Sequence, residues 1–277
     1  ILSAGALRSA AMWLALRRVG VRPAFPVNRA IARGLVANGA PLALASFLTL
    51  AYQHTDKLIT TALLGEDRTG QLTGAFVISF GVIELLSTTV LVAVFPLMSR
   101  TYRDGMRALF EFMMEKLAFF NLLLSLPIAL VISLLSVPLA GLLFGPGYTR
   151  TASVLQVLIW YTVVTMIGNV FAQALLIENR QRRTLVIRAG GLALNIALNI
   201  VLLPLIGVVG AAVASLLAEL VVLTGLVSSF RFPADWWARV RSHLWRMALA
   251  GAGMAAAIAL LRGVNPVLGG AAGAAGC

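Results

Sequence analysis

Basic residues fall into four clusters separated by long apolar runs, and this alternation constrains the fold more than any other feature of the chain. The clusters are Arg17, Arg18, Arg22, Arg29 and Arg33; Arg100, Arg103, Arg107 and Lys116; Arg180, Arg182, Arg183 and Arg188; and Arg231, Arg239, Arg241 and Arg246. The alternate connections hold only Arg68 in 65–70, Arg150 in 144–151, none in 205–208, and Arg262 at the edge of the tail. Short loops rich in Lys and Arg stay on the cytoplasmic side of a membrane. The pattern therefore predicts a polytopic membrane protein with all four clusters facing inward.

Composition agrees. Hydrophobic residues make up 60% of the 277 and charged residues 12%, about half the charged share of a soluble domain. The formal charge of +12 does not indicate a nucleic-acid partner, because the cations sit in short loops between apolar runs and form no single groove. They suit contact with anionic membrane lipids. The one cysteine, Cys277, is the last residue, which leaves no disulfide framework and no cysteine metal site. His54 and His243 lack ligand spacing. There is no Ser/His/Asp set and no cofactor box, so the sequence is not read as an enzyme and implies no cofactor. Gly190-Gly191 and Gly207-Val208-Val209-Gly210 lack the Gly-Lys-Ser/Thr end of a phosphate loop; close packing and tight turns explain them better.

A helix needs about 20 mainly apolar residues to cross a bilayer. Full spans are expected at 35–64, 71–98, 117–143, 152–177, 189–206 and 209–229. These runs are too long and continuous for barrel strands, which need about 9–11 residues. Residues 1–16 read as the end of a truncated span and 17–34 as a cytoplasmic linker. Residues 231–246 mix three tryptophans with basic residues, the make-up of a helix lying in the headgroup layer. One more span is expected at 247–262, followed by a Gly/Ala tail at 263–277. The chain begins at Ile1 and reads as a fragment of a longer protein. The fold class is all-α, a polytopic transmembrane helix bundle.

Three stretches carry a family resemblance. Tyr52-Gln53-His54-Thr55-Asp56-Lys57-Leu58-Ile59 is followed by Leu63-Leu64-Gly65 and Thr69-Gly70; Phe95-Pro96-Leu97-Met98-Ser99-Arg100 follows; then comes Leu142-Leu143-Phe144-Gly145-Pro146-Gly147-Tyr148. Their order and spacing resemble the polysaccharide (Wzx-type) flippases of the multidrug/oligosaccharidyl-lipid/polysaccharide exporter superfamily, over residues 35–230. One departure is Gly74-Ala75-Phe76, where the family usually has a glycine-tyrosine pair. The resemblance implies that 35–230 is the second six-helix lobe of a two-lobe exporter, with a partial helix before it and one helix after. It further implies a flippase of the cytoplasmic membrane. Such a protein moves undecaprenyl-pyrophosphate-linked oligosaccharide by alternating access, with a coupling proton or sodium ion. A drug/cation antiporter of the same superfamily and a non-transporting membrane subunit are the alternatives. Sugar identity, coupling ion and the partner lobe's half of the cavity are not legible.

Polar residues inside apolar spans mark candidate pathway positions, because an ionisable group there is costly and faces protein or water. Ser46, Thr49, Gln53, Asp56 and Thr60 recur at helical spacing, with Lys57 and His54 beside them. Asp56 either touches a coupling ion or pairs with Lys57 or His54 to hold helices together. Glu84, with Thr88 one turn on, and Glu219, with Ser215 one turn before, are each central in a span and expected to be buried, as proton-coupled groups or as hydrogen-bonded packing groups. Thr162, Thr165, Asn169 and Gln173 form a second stripe, and Asn195 and Asn199 a third; for these, helix packing is the favoured reading. Arg188 shares the face of Asn195 and Asn199 near the inner end of its span. It is either a topology charge, the favoured reading, or a contact for a pyrophosphate headgroup.

Overall fold

The computed structural model describes residues 29–232, together with Trp245 and Gly253. The expected truncated span, most of the linker, the tryptophan-rich helix, the last span and the tail lie outside the described residues. The chain divides into two compact units, Ile1–Ser46 and Phe47–Cys277.

All regular structure among the described residues is helical. Helix α1 runs Arg29–Leu64 and crosses the division between units. The others belong to the second unit: α2 Glu66–Ile83, α3 Thr89–Arg103, α4 Arg107–Leu134, α5 Ser136–Phe144, α6 Thr149–Ile177, α7 Gln181–Ile206 and α8 Val208–Val227. A π-helical turn, Glu84–Thr88, joins α2 to α3, and a 3-10 turn, Pro146–Tyr148, precedes α6. Among the described residues, five helical lengths are long and apolar enough to cross a membrane: 66–103, 107–134, 150–177, 181–206 and 208–227. The chain is thus an all-α, multi-pass membrane protein.

The helices outrun the apolar windows at the ends that carry the basic residues. Among the described residues, most of the second and third basic clusters is helical. Arg100 and Arg103 lie in the last turn of α3, Arg107 and Lys116 in α4, and Arg182, Arg183 and Arg188 in α7. Cations suit a helix C-terminus, where carbonyl dipoles point outward, so α3 has no reason to stop where its apolar run stops. The connections shrink to Asp104–Met106 and Glu178–Arg180. The expected span 117–143 also divides, at Leu135, into a full crossing and the short α5.

Helix α6 is the centre of the bundle. It packs against α8, α4 and α2, while α7 packs chiefly against α8. Two apolar layers fill the contacts. One joins Leu72 and Phe76 of α2 to Leu155 and Leu158 of α6 and Ala211 of α8. The other joins Phe110 and Met114 of α4 to Val170 and Phe171 of α6 and Leu226 of α8. Outward residues such as Leu85, Val92, Leu142, Val186 and Leu205 are exposed, as suits helices whose outer faces meet acyl chains.

Candidate functional site

The polar residues of the spans form two layers. The first layer centres on Asp56, which is buried at 2% exposure. Asp56 lies eight residues before the end of α1, about 12 Å of helix. Asn199 and Ser215 each lie seven residues from the α7–α8 turn, about 10 Å, so three helices place polar groups at one depth. Asn195 Nδ2 donates to Asp56 Oδ1 at 2.9 Å and Asn199 Nδ2 donates to the same oxygen at 2.6 Å. Ser215 Oγ donates to Asp56 Oδ2 at 2.6 Å. Asn199 Nδ2 also reaches the carbonyl and Oδ1 of Asn195, at 2.9 and 3.2 Å.

The three bonds to Asp56 all have its carboxyl group as acceptor, an arrangement that suits an ionised carboxylate. Oxygen atoms remain open beside it: Asn199 Oδ1 and Thr60 Oγ1, one turn after Asp56, are buried without a hydrogen-bond partner among the described residues. A bound water or ion is one way to satisfy buried oxygens of this kind. The packing reading of Asp56 in its expected form is not what the structure shows. Its partners are on α7 and α8, His54 is exposed, and the Lys57 ammonium sits 5.6 Å from the centroid of the Phe76 ring. The side chain of Gln53 is outside the described part.

The second layer lies about 10–12 Å from the other ends of the helices. Arg188, half-buried seven residues into α7, donates from Nη2 to Asn169 Oδ1 at 3.2 Å. Glu219 is fully buried on α8, and a methyl group built on Gly168 would stand 3.6 Å from its Oε1. Gly168, next to Asn169 in the chain, thus lies against the Glu219 carboxyl group. Tyr161, also buried, lies within electrostatic reach of Glu219, Arg188 and Asp56, and Ser215 and Glu219 are one turn apart on α8. The layers are therefore neighbours. Gln173 is half-buried one turn beyond Asn169.

Two sequence expectations need revision. Glu84 is not buried among the described residues: it is exposed, in the π-helical turn, where the Thr89 hydroxyl bonds its carbonyl at 3.1 Å. The expectation rests on its central place in an apolar run, which does not fix the direction in which a side chain faces. Asn195 and Asn199 are not merely a packing stripe, since they hold a carboxyl group contributed by a helix more than a hundred residues away. Ser215 and Tyr161 are the residues that sequence reasoning undervalued. Ser215 had a signal, its one-turn spacing from Glu219, and Tyr161 had one too, its one-turn spacing from Thr165.

Residues 2–153 match the family described as polysaccharide biosynthesis protein. The chain is also 20% identical over 188 residues to an uncharacterised membrane protein of Methanocaldococcus jannaschii. That alignment covers 68% of this chain and 37% of the relative, so the chain spans little more than a third of the relative's length. With the family match extending over more than half of its residues and through Asp56, the chain belongs to the polysaccharide biosynthesis protein family.

Proposed function

We propose that the full-length protein is a flippase for lipid-linked oligosaccharide, and that the Asp56 layer is the coupling-ion site of its second lobe. The observation that carries this reading is the buried Asp56 carboxyl group, held by donors from two other helices with open oxygens beside it. A charge so placed within a span is expensive unless it serves a pathway or an ion. Three helices contribute, so occupancy by a proton or sodium ion would change their mutual packing. That supplies the differential binding that alternating access requires. Glu84 would line the wall of the path, since a carboxyl group on the outside of a span needs protein or water against it.

Reconstitution tests the reading. Proteoliposomes carrying the full-length protein should move an undecaprenyl-pyrophosphate-linked sugar between leaflets, faster under a sodium or proton gradient. Export of a cationic drug without movement of the lipid-linked sugar would establish the antiporter instead. Absence of both activities would point to a non-transporting subunit.

Arg188 would take the pyrophosphate from the inner leaflet, and its bond to Asn169 sharpens the expectation. A half-buried guanidinium with one amide partner retains donors for a second acceptor, whereas Arg182 is exposed at the start of α7. Arg188→Gln should slow flipping about tenfold, the equivalent of one charge-assisted hydrogen bond. Arg182→Gln should leave it within about twofold, because orientation follows the summed charge of the cluster. Flipping rates at matched protein level decide; equal rates for both variants and the parent would make Arg188 a topology charge.

Sidedness has its own test. On a Cys277→Ala background, Asp104→Cys and Gln181→Cys should resist an impermeant thiol reagent added outside intact cells and react after permeabilisation. Labelling of either from outside would invert the proposed topology.

A further inference from the structure

The three basic clusters that reach the second unit's described residues meet at one end of the bundle. There the first turns of α4, the α6–α7 turn and the stretch after α8 enclose a cavity of about 710 Å³, within the range of small-ligand sites. Its charges are divided between walls. Helix α4 presents Glu111 and Glu115, one turn apart, with Arg107 at the helix start; the other walls present Arg180, Arg183 and Arg231.

Arg180 is already committed. It donates to Glu178 Oε2 at 2.7 Å and to the Ser229 carbonyl at 2.9 Å, and lies 5.9 Å from the centre of the Phe230 ring. It fixes the α8 end against the α6–α7 turn. Arg183, Arg231 and Glu111 are exposed and join no ion pair among the described residues. The cavity therefore offers two uncommitted guanidiniums on one side and an uncommitted carboxylate on the other. Phe112, 55% exposed on α4, lines the same cavity and adds an apolar surface.

We propose that this cavity binds the headgroup of an ethanolamine phospholipid from the inner leaflet. A phosphodiester suits Arg183 and Arg231, which engage it with paired N–H donors. The primary ammonium two carbons away suits Glu111, and an acyl chain has Phe112 to follow. A pyrophosphate is a poor fit, because its second phosphate would meet Glu111 and Glu115. The site is thus distinct from any path of the transported lipid and stands independently of the flippase reading. Phosphatidylglycerol lacks the ammonium, and phosphatidylcholine lacks its N–H donors.

Purified, delipidated full-length protein would be offered phosphatidylethanolamine, phosphatidylglycerol and phosphatidylcholine of matched acyl chains, with retention read by native mass spectrometry. The ethanolamine lipid should be retained about tenfold more than the other two, the scale of one charge-assisted hydrogen bond. Glu111→Gln should lower it to the phosphatidylglycerol level, and Arg183→Gln with Arg231→Gln should lower both. All three side chains are exposed, so the variants should fold. Equal retention of the three lipids by the parent, or an unchanged preference in Glu111→Gln, would overturn the proposal. So would competition by soluble glycerophosphoethanolamine as effective as the lipid itself, which would assign the cavity to a soluble phosphoester.

Discussion

Asp56→Asn in the full-length protein is expected to cut polysaccharide export by tenfold or more, at a membrane level close to that of the parent. Tenfold corresponds to about 1.4 kcal/mol of transition-state stabilisation, little against the cost of losing the one carboxylate of a buried ion site. The amide has the shape of the carboxyl group and keeps one acceptor oxygen. Asn195, Asn199 and Ser215 then retain a neighbour to bond, and the helices should still assemble. Asp56→Ala behaves differently. It removes the acceptor of three hydrogen bonds, leaving donors whose burial costs about 1–3 kcal/mol each, so its membrane level should fall as well. Export assays with immunoblotting of the membrane fraction separate the two. Normal export by Asp56→Asn would remove the ion role, and loss of that variant from the membrane would make Asp56 a packing residue.

The contrast between Asp56 and Glu84 shows what the sequence conveys about such a site. Both are lone carboxylates in apolar runs, and that alone marks them as costly. For Asp56 the neighbours at spacings of three and four were polar, so the face was legible. For Glu84 the polar neighbours Ser79, Ser87, Thr88 and Thr89 are scattered and a π-helical turn begins at it, so no single polar face was legible. The partners of Asp56 were legible only as separate stripes. That Asn195 and Asn199 meet it depends on α7 and α8 closing as a hairpin onto α1, which is tertiary packing and has no local signal. The five apolar lengths among the described helices were legible as long apolar runs, but their ends were not. Helical hydrogen bonding continues through Arg100, Arg107 and Arg182 irrespective of where the bilayer stops, and hydropathy registers only the bilayer.

That hairpin is the element most sensitive to a single methyl group. The α7–α8 turn is one residue, Gly207, at φ 67°, a backbone region costly for residues with a Cβ. Three residues on, Gly210 packs directly on the backbone of the preceding helix. A Cβ there would stand 2.5 Å from the Leu202 carbonyl oxygen, 2.7 Å from its carbon and 3.0 Å from Leu203 N. No rotamer change relieves a clash with backbone, so the helices must separate. Gly210→Ala should therefore destabilise the protein by about 3 kcal/mol, the upper end of overpacking costs. It should also draw Ser215 away from Asp56 and depress export. Gly225→Ala is the milder case, since its nearest contacts, from 3.0 Å, are to the movable side chain of Ile187. Gly190→Ala meets nothing within 4 Å and replaces glycine inside a helix, which favours the helix by about 0.5–1 kcal/mol. Thermal unfolding of the three purified variants in detergent should rank them Gly190→Ala, Gly225→Ala, Gly210→Ala from most to least stable. A Gly210→Ala protein as stable as the parent would mean that α7 and α8 do not make this close approach, and that the geometry bringing Ser215 and Asn199 to Asp56 is wrong.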